Sequence, residues 1–186
     1  PLYSSAASDV YKRQELSDAL IANKKSIKIN PVDPEAHYNL GNTLKQLNKL
    51  DEAVISYKKS IQLKTDYAAA YNNLADVFKN QGKIEETIVS YKKAIQLNPN
   101  YAEAYNNLGI IFRELGELYD SEKSYRKAIK LNPNYSEGYF NLGITLRDLG
   151  RLSESENNYK KAIELNSNRA ELYNNLGVVL RELGKL

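Results

Sequence analysis

Apolar residues recur along this chain at helical spacing, in short stretches divided by glycine or by an Asn-Pro pair. Within 102–135, Tyr105, Leu108, Ile111, Phe112 and Leu115 fall three and four residues apart, which is one face of an amphipathic helix. Gly116 follows, and a residue free to take left-handed backbone ends a helix there. A second stretch carries Leu118, Ser121, Tyr125, Ala128, Ile129 and Leu131. Pro133 stops it, because proline lacks an N–H and clashes with the preceding turn. The pattern predicts two amphipathic helices joined by a tight turn.

The same pattern returns every 34 residues. Asn39, Asn73, Asn107, Asn141 and Asn175 form one series, each followed by leucine, and Tyr57, Tyr91, Tyr125 and Tyr159 form another. Gly82, Gly116, Gly150 and Gly184 mark the turn, with Asn48 in the same place once. Gly41, Ala75, Gly109, Gly143 and Gly177 sit inside the first helix, where glycine costs about 1 kcal/mol against alanine. That cost predicts close approach of a second helix. Ala53, Thr87, Ser121 and Ser155 supply one facing small contact, and Ser60, Ala94, Ala128 and Ala162 another.

These features resemble the tetratricopeptide repeat, a 34-residue helix–turn–helix. In 68–101 the matching residues are Tyr71, Leu74, Ala75, Gly82, Thr87, Tyr91, Ala94 and Pro99. The departures are tyrosine for the usual tryptophan, Thr87 for alanine, and Thr65 and Ser167 for proline. The resemblance implies an all-α fold, a tetratricopeptide-repeat α-solenoid in which antiparallel helix pairs wind into a right-handed superhelix. Full repeats are expected at 34–67, 68–101, 102–135 and 136–169, with half repeats at 15–33 and 170–186.

Residues 4–14 resemble the in-frame translation of a DNA-library transposase adapter, so 1–14 is expected to be disordered and outside the array. Pro1 stands first and no Met occurs, as expected of an internal fragment cut within a repeat at both ends. The last half repeat is expected to expose Leu172, Leu176, Val179 and Leu180, whose second-helix partner is missing, so self-association through uncapped ends is expected.

Composition narrows the chemistry. Lys+Arg is 26 against 23 Asp+Glu, a net charge of +3, too small an excess to indicate nucleic acid. No apolar run approaches the length of about 18 residues needed to cross a membrane. With no Cys and one His, the residues form no nucleophile–base set or metal-ligand cluster, so no cofactor and no catalysis are expected within this chain. His37 stands at an aromatic packing position.

The resemblance implies that first helices line a concave surface where a protein or peptide binds. Asn39, Asn73, Asn107, Asn141 and Asn175 form an unbroken column there, similar to the asparagine ladder in the repeat region of O-linked N-acetylglucosamine transferase. An amide both donates and accepts, so it can pair with an extended peptide backbone whatever the peptide's side chains. The alternative is that these residues bridge helices locally. Lys45, Lys79, Arg113, Arg147 and Arg181 form a second column that suits acidic groups, with Glu114, Asp148 and Glu182 close enough to neutralise much of it. A third, Asn42, Asp76, Ile110, Ile144 and Val178, becomes apolar along the chain, either toward a partner or as packing between first helices. The cations of a chaperone-carboxylate clamp are missing: Tyr38 and Asn72 stand in one such column, Glu35, Ala69 and Glu103 in the other. The functional expectation is an interaction scaffold. The alternative is a substrate-recruiting segment of a larger glycosyltransferase, sulfotransferase or methyltransferase.

Overall fold

The computed structural model describes residues 2–185, with side-chain surroundings described from residue 11 onward. Among the described residues there are ten α-helices and no strand. They are α1 (Leu2–Ile29), α2 (Pro34–Gln46), α3 (Leu50–Leu63), α4 (Ala68–Asn80), α5 (Ile84–Leu97), α6 (Ala102–Glu114), α7 (Leu118–Leu131), α8 (Ser136–Asp148), α9 (Leu152–Leu165) and α10 (Ala170–Glu182). The chain forms two compact units, Pro1–Leu97 and Asn98–Leu186. The pairs α2/α3 and α4/α5 lie in the first, α6/α7 and α8/α9 in the second, each joined by a three-residue turn.

Helix α1 runs back to Leu2, so the backbone of residues 2–14 is helical where a disordered segment was expected. No glycine or proline interrupts the stretch after Pro1, and Ala6, Ala7, Lys12, Arg13 and Gln14 are good helix formers. Extending an existing helix is far easier than nucleating one. Tyr11, Lys12, Arg13 and Gln14 are exposed.

The turns have the expected left-handed backbone, with φ of 71° at Gly82, 77° at Gly116, 74° at Gly150, 68° at Gly184 and 57° at Asn48. At Gly116 the glycine N–H bonds to Arg113 O at 3.0 Å and the Glu117 N–H reaches Phe112 O at 2.8 Å. Those two bonds satisfy carbonyls that the end of α6 would otherwise leave unpaired. The Asn-Pro pairs do more than block a helix. Asn98 and Asn132 side chains accept the backbone N–H of Asn100 (3.1 Å) and Asn134 (3.2 Å), and Asn166, lacking the proline, does the same for Asn168 (3.3 Å). Asp33 caps α2 by accepting the Glu35 N–H at 2.9 Å, with Pro34 at the first helical position.

In α2/α3, α6/α7 and α8/α9 a tyrosine ring is laid on a glycine; in α4/α5 the equivalent residues are the buried Ala75 and Tyr91. A Cβ built on Gly41 would stand 2.6 Å from the Tyr57 ring, on Gly109 2.8 Å from Tyr125, and on Gly143 2.9 Å from Tyr159. The facing small residues Ala53, Thr87, Ser121 and Ser155, and Ser60, Ala94, Ala128 and Ala162, are all fully buried. Their hydroxyls are used: Ser60 donates to Pro34 O and Ser155 to Gly143 O, both at 2.7 Å. In the first unit Leu44, Tyr57, Leu74, Val77 and Phe78 form one core cluster. In the second, Phe140, Tyr159 and Ala162 close on Leu172 and Val179 of α10. Leu172 and Val179 are therefore 0% exposed, correcting the expectation of a bare terminal helix, because α10 packs on both α8 and α9. Leu176 and Leu180 are half-buried.

Gly41→Ala and Gly109→Ala should each destabilise the protein, since the ring must shift, at a cost of about 1–3 kcal/mol. Gly177, with nothing within 4 Å, should tolerate alanine and gain up to about 1 kcal/mol of helix propensity. Thermal or urea melts of the three variants check this; equal effects at all three positions would remove the packing argument.

Candidate functional site

The asparagine column does not present five equivalent amides. Asn73 and Asn141 take their settings from the first helix before them. In the first unit, Asn73 on α4 donates from Nδ2 to Tyr38 Oη (3.0 Å) and Asn42 Oδ1 (2.8 Å) on α2. In the second, Asn141 on α8 is buried and its Nδ2 reaches Asn106 Oδ1 on α6 at 3.1 Å. Asn175 has only Phe140 and Ile144 at the matching positions of α8, so its Nδ2 turns back to Glu171 O at 2.9 Å. Asn107 is half-buried and accepts a long 3.5 Å bond from Asn106. Asn39 is exposed, while its backbone carbonyl accepts from Asn23 on α1 (3.3 Å) and from Thr43 (3.1 Å). The column therefore includes local bridges, at Asn73 and Asn141, and more open amides at Asn39, Asn107 and Asn175. Asn72 is fully buried, and neither atom of its amide has a hydrogen-bond partner.

The third column explains why the tyrosines differ. In the first unit Tyr57 Oη donates to Asn42 Oδ1 at 2.7 Å and Tyr91 Oη to Asp76 Oδ1 at 2.6 Å. Asn42 thus accepts from both Tyr57 and Asn73, tying α2, α3 and α4 together. In the second unit the equivalent positions are Ile110 and Ile144, and the buried Tyr125 and Tyr159 hydroxyls have no hydrogen-bond partner. Ile110 packs on the cluster of Tyr125, Leu142 and Leu146, and Ile144 on that of Phe140 and Tyr159. Of the two readings open for this column, packing is the one these isoleucines take. Burial raises the Tyr159 phenol to about 12 and raises that of Tyr125 as well. Tyr57 is raised by burial first and then by Tyr38 and Asp76, so it remains a donor.

The basic column is partly neutralised. Lys45 pairs with Asp76 at 3.0 Å within the first unit, and Arg113 with Asp148 at 3.6 Å within the second. Lys79 and Arg147 are half-buried, and Arg181 is exposed. His37 Nε2 lies 3.0 Å from Pro31 O, a contact that holds the ring locally as a packing residue. Among the described residues no group of three or more His, Asp or Glu could hold a metal ion, and no helix is long and apolar enough to cross a membrane. The sequence reading missed the Tyr57–Asn42–Asn73–Tyr38 network. Its signal was the change from Asn42 and Asp76 to Ile110 and Ile144.

Comparisons with known proteins place this geometry. The pattern described as TPR repeat matches residues 41–82, 75–116 and 143–184, and two patterns described as tetratricopeptide repeat match 102–135, and 22–55 with 124–157. The chain belongs to the tetratricopeptide-repeat family, and its fold is the all-α solenoid of that family. The crystal structure of MamA is 28% identical with a TM-score of 0.74, covering 87% of this chain and 94% of that one. TTC0263, a thermophilic TPR protein of Thermus thermophilus, is 25% identical with a TM-score of 0.71, over 95% of this chain and 96% of that one. The first TPR of Spaghetti (RPAP3), bound to the HSP90 peptide SRMEEVD, is 25% identical with a TM-score of 0.62, over 63% of this chain and 93% of that one. A search of curated proteins returned no match.

Tyr57→Phe should cost about 0.5–1.5 kcal/mol, the net worth of its hydrogen bond. Tyr125→Phe and Tyr159→Phe should be neutral or stabilising, since each removes a buried unsatisfied hydroxyl. Chemical denaturation of the three single variants separates the two cases; a loss at Tyr125 as large as at Tyr57 would mean its hydroxyl has a partner.

Proposed function

We propose that this array is a protein-interaction scaffold that holds an extended peptide or partner segment on the concave surface of its first helices, and that it is not itself catalytic. The observation that carries this reading is the unbroken 34-residue register of amides and cations on the first helices, with Asn39, Asn107, Asn175, Lys79, Arg147 and Arg181 at exposed or half-buried positions. The peptide-bound RPAP3 relative supports a peptide as the class of partner. The clamp cations that would suit a chaperone carboxylate are replaced here, so the peptide sequence is expected to differ.

In this proposal the members of the asparagine column divide the work. Asn39, Asn107 and Asn175 address the peptide backbone, while Asn73 and Asn141 fix the spacing of the helices that carry them. The half-buried Asn73 can still accept a peptide N–H at its carbonyl oxygen, because its bonds to Tyr38 and Asn42 are both donated from Nδ2. The basic column adds attraction for acidic side chains, a contribution that salt screens.

The test starts with a ligand selected from a displayed peptide library on the wild-type array, titrated calorimetrically. Asn39→Ala and Asn107→Ala should each weaken binding by about 0.5–1.5 kcal/mol without changing the melting transition. Asn73→Ala should instead lower stability by a similar amount, because Tyr38 and Asn42 lose a donor. Unchanged affinity in both Asn39→Ala and Asn107→Ala would overturn the backbone-reading role.

A further inference from the structure

The outward faces of the second helices carry a pattern that peptide binding on the first helices leaves unused. On α3, Glu52, Ile55, Lys59 and Gln62 follow one another at i, i+3, i+7 and i+10, a single helical stripe. The same stripe reads Glu86, Val89, Lys93 and Gln96 on α5, and Asp18, Ile21, Lys25 and Lys28 on α1. Its apolar members are among the most exposed large aliphatics of the molecule: Ile21 64%, Ile55 69% and Val89 66%. Ile55 keeps that exposure although α4 packs against α3, so the exposure belongs to the register and not to a missing neighbour. In the second unit the equivalent positions hold Lys123 and Asn157. The apolar row is confined to Pro1–Leu97.

By the 34-residue register the three stripes repeat one order: a carboxylate (Asp18, Glu52, Glu86), then an aliphatic, then an ammonium group (Lys25, Lys59, Lys93). Acid and base within a stripe are seven residues apart, about 10 Å along the helix. Lys59 and Lys93 rest on neutral Gln62 (3.1 Å) and Gln96 (3.0 Å), so these contacts leave their charge uncompensated. Glu52 meets Lys49 at 3.3 Å in an exposed pair of little energetic weight. An acid–apolar–base order is self-complementary. A two-fold axis parallel to the apolar row lays one copy's aliphatics on the other's and brings each lysine band over the opposite carboxylate band. A purely acidic peptide or an anionic surface would use the lysine band and leave the carboxylates of Asp18, Glu52 and Glu86 without a partner.

We propose that the second-helix face of Pro1–Leu97 pairs with the same face of a second copy of this chain. Three aliphatics, each about two-thirds exposed, supply far less than the ~800 Å² per partner of a standard interface. The dimer is accordingly weak and concentration-dependent.

Sedimentation velocity on the full chain, from about 1 to 300 µM, tests it. The wild-type mass should rise from 21.1 kDa toward twice that value. Ile55→Glu with Val89→Glu should raise the dissociation constant about tenfold or more. Reversing one band, Glu52→Lys with Glu86→Lys, should also weaken pairing, and adding Lys59→Glu with Lys93→Glu should restore it. Both aliphatic positions are about two-thirds exposed, so the fold should be retained. If circular dichroism shows otherwise, Ile55→Ser with Val89→Ser takes their place. The proposal is overturned by a wild type that stays monomeric throughout, by dimerisation that survives the aliphatic changes, or by failure of the full charge exchange to restore it.

Discussion

The contact between a second-helix tyrosine ring and the bare backbone of a first-helix glycine sets the geometry of each helix pair in which it occurs. Glycine inside a helix costs about 1 kcal/mol in propensity, and burying a large side chain returns roughly 1.5–3 kcal/mol. The exchange is favourable only if the ring can lie where a Cβ would otherwise stand. At Gly41, Gly109 and Gly143 it does. The small residues around it follow from the same constraint, since two helices this close leave room for alanine or serine at Ala53, Ser121 and Ser155.

With the ring buried, its hydroxyl becomes the next decision. A hydroxyl carried into the interior must find an acceptor or bear a desolvation penalty. The two units resolve this differently. Asn42 and Asp76 accept from Tyr57 and Tyr91, and the acceptors themselves reach further, to Asn73 and Lys45. Ile110 and Ile144 offer apolar contact and leave Tyr125 and Tyr159 unsatisfied. One unit is tied by a polar network between successive first helices, the other by aliphatic packing at the same places.

The helices, the turns and the tyrosine–glycine contact were legible because each depends on residues inside one repeat. Asn48 in the turn could be read as a glycine substitute from backbone preference alone, and its φ of 57° agrees. The asparagine column was legible as a column but not in its environments. Asn73 is a bridge because Tyr38 and Asn42 precede it; Asn175 is not, because Phe140 and Ile144 do. Those partners lie 31 and 35 residues back, one repeat away, where a reading within each repeat does not look. The helical backbone of residues 2–14 was missed for another reason. A resemblance in residue order carries no information about whether a glycine-free stretch will extend the helix beside it.

The order of helix contacts bears on how the chain reaches this structure. Within each unit the helices that touch are neighbours in sequence or next-but-one, as with α2 on α3 and α4, or α8 on α9 and α10. No strand pairing or distant closure has to be found first among the described residues. Loop-closure entropy is low when contacting segments are close along the chain, and folding rates rise as contacts become more local. Any one helix pair can nucleate, and the next can add to it without waiting for the ends of the chain to meet. During synthesis the early pairs can close while later repeats are still being made, so little apolar surface stands uncovered at any moment.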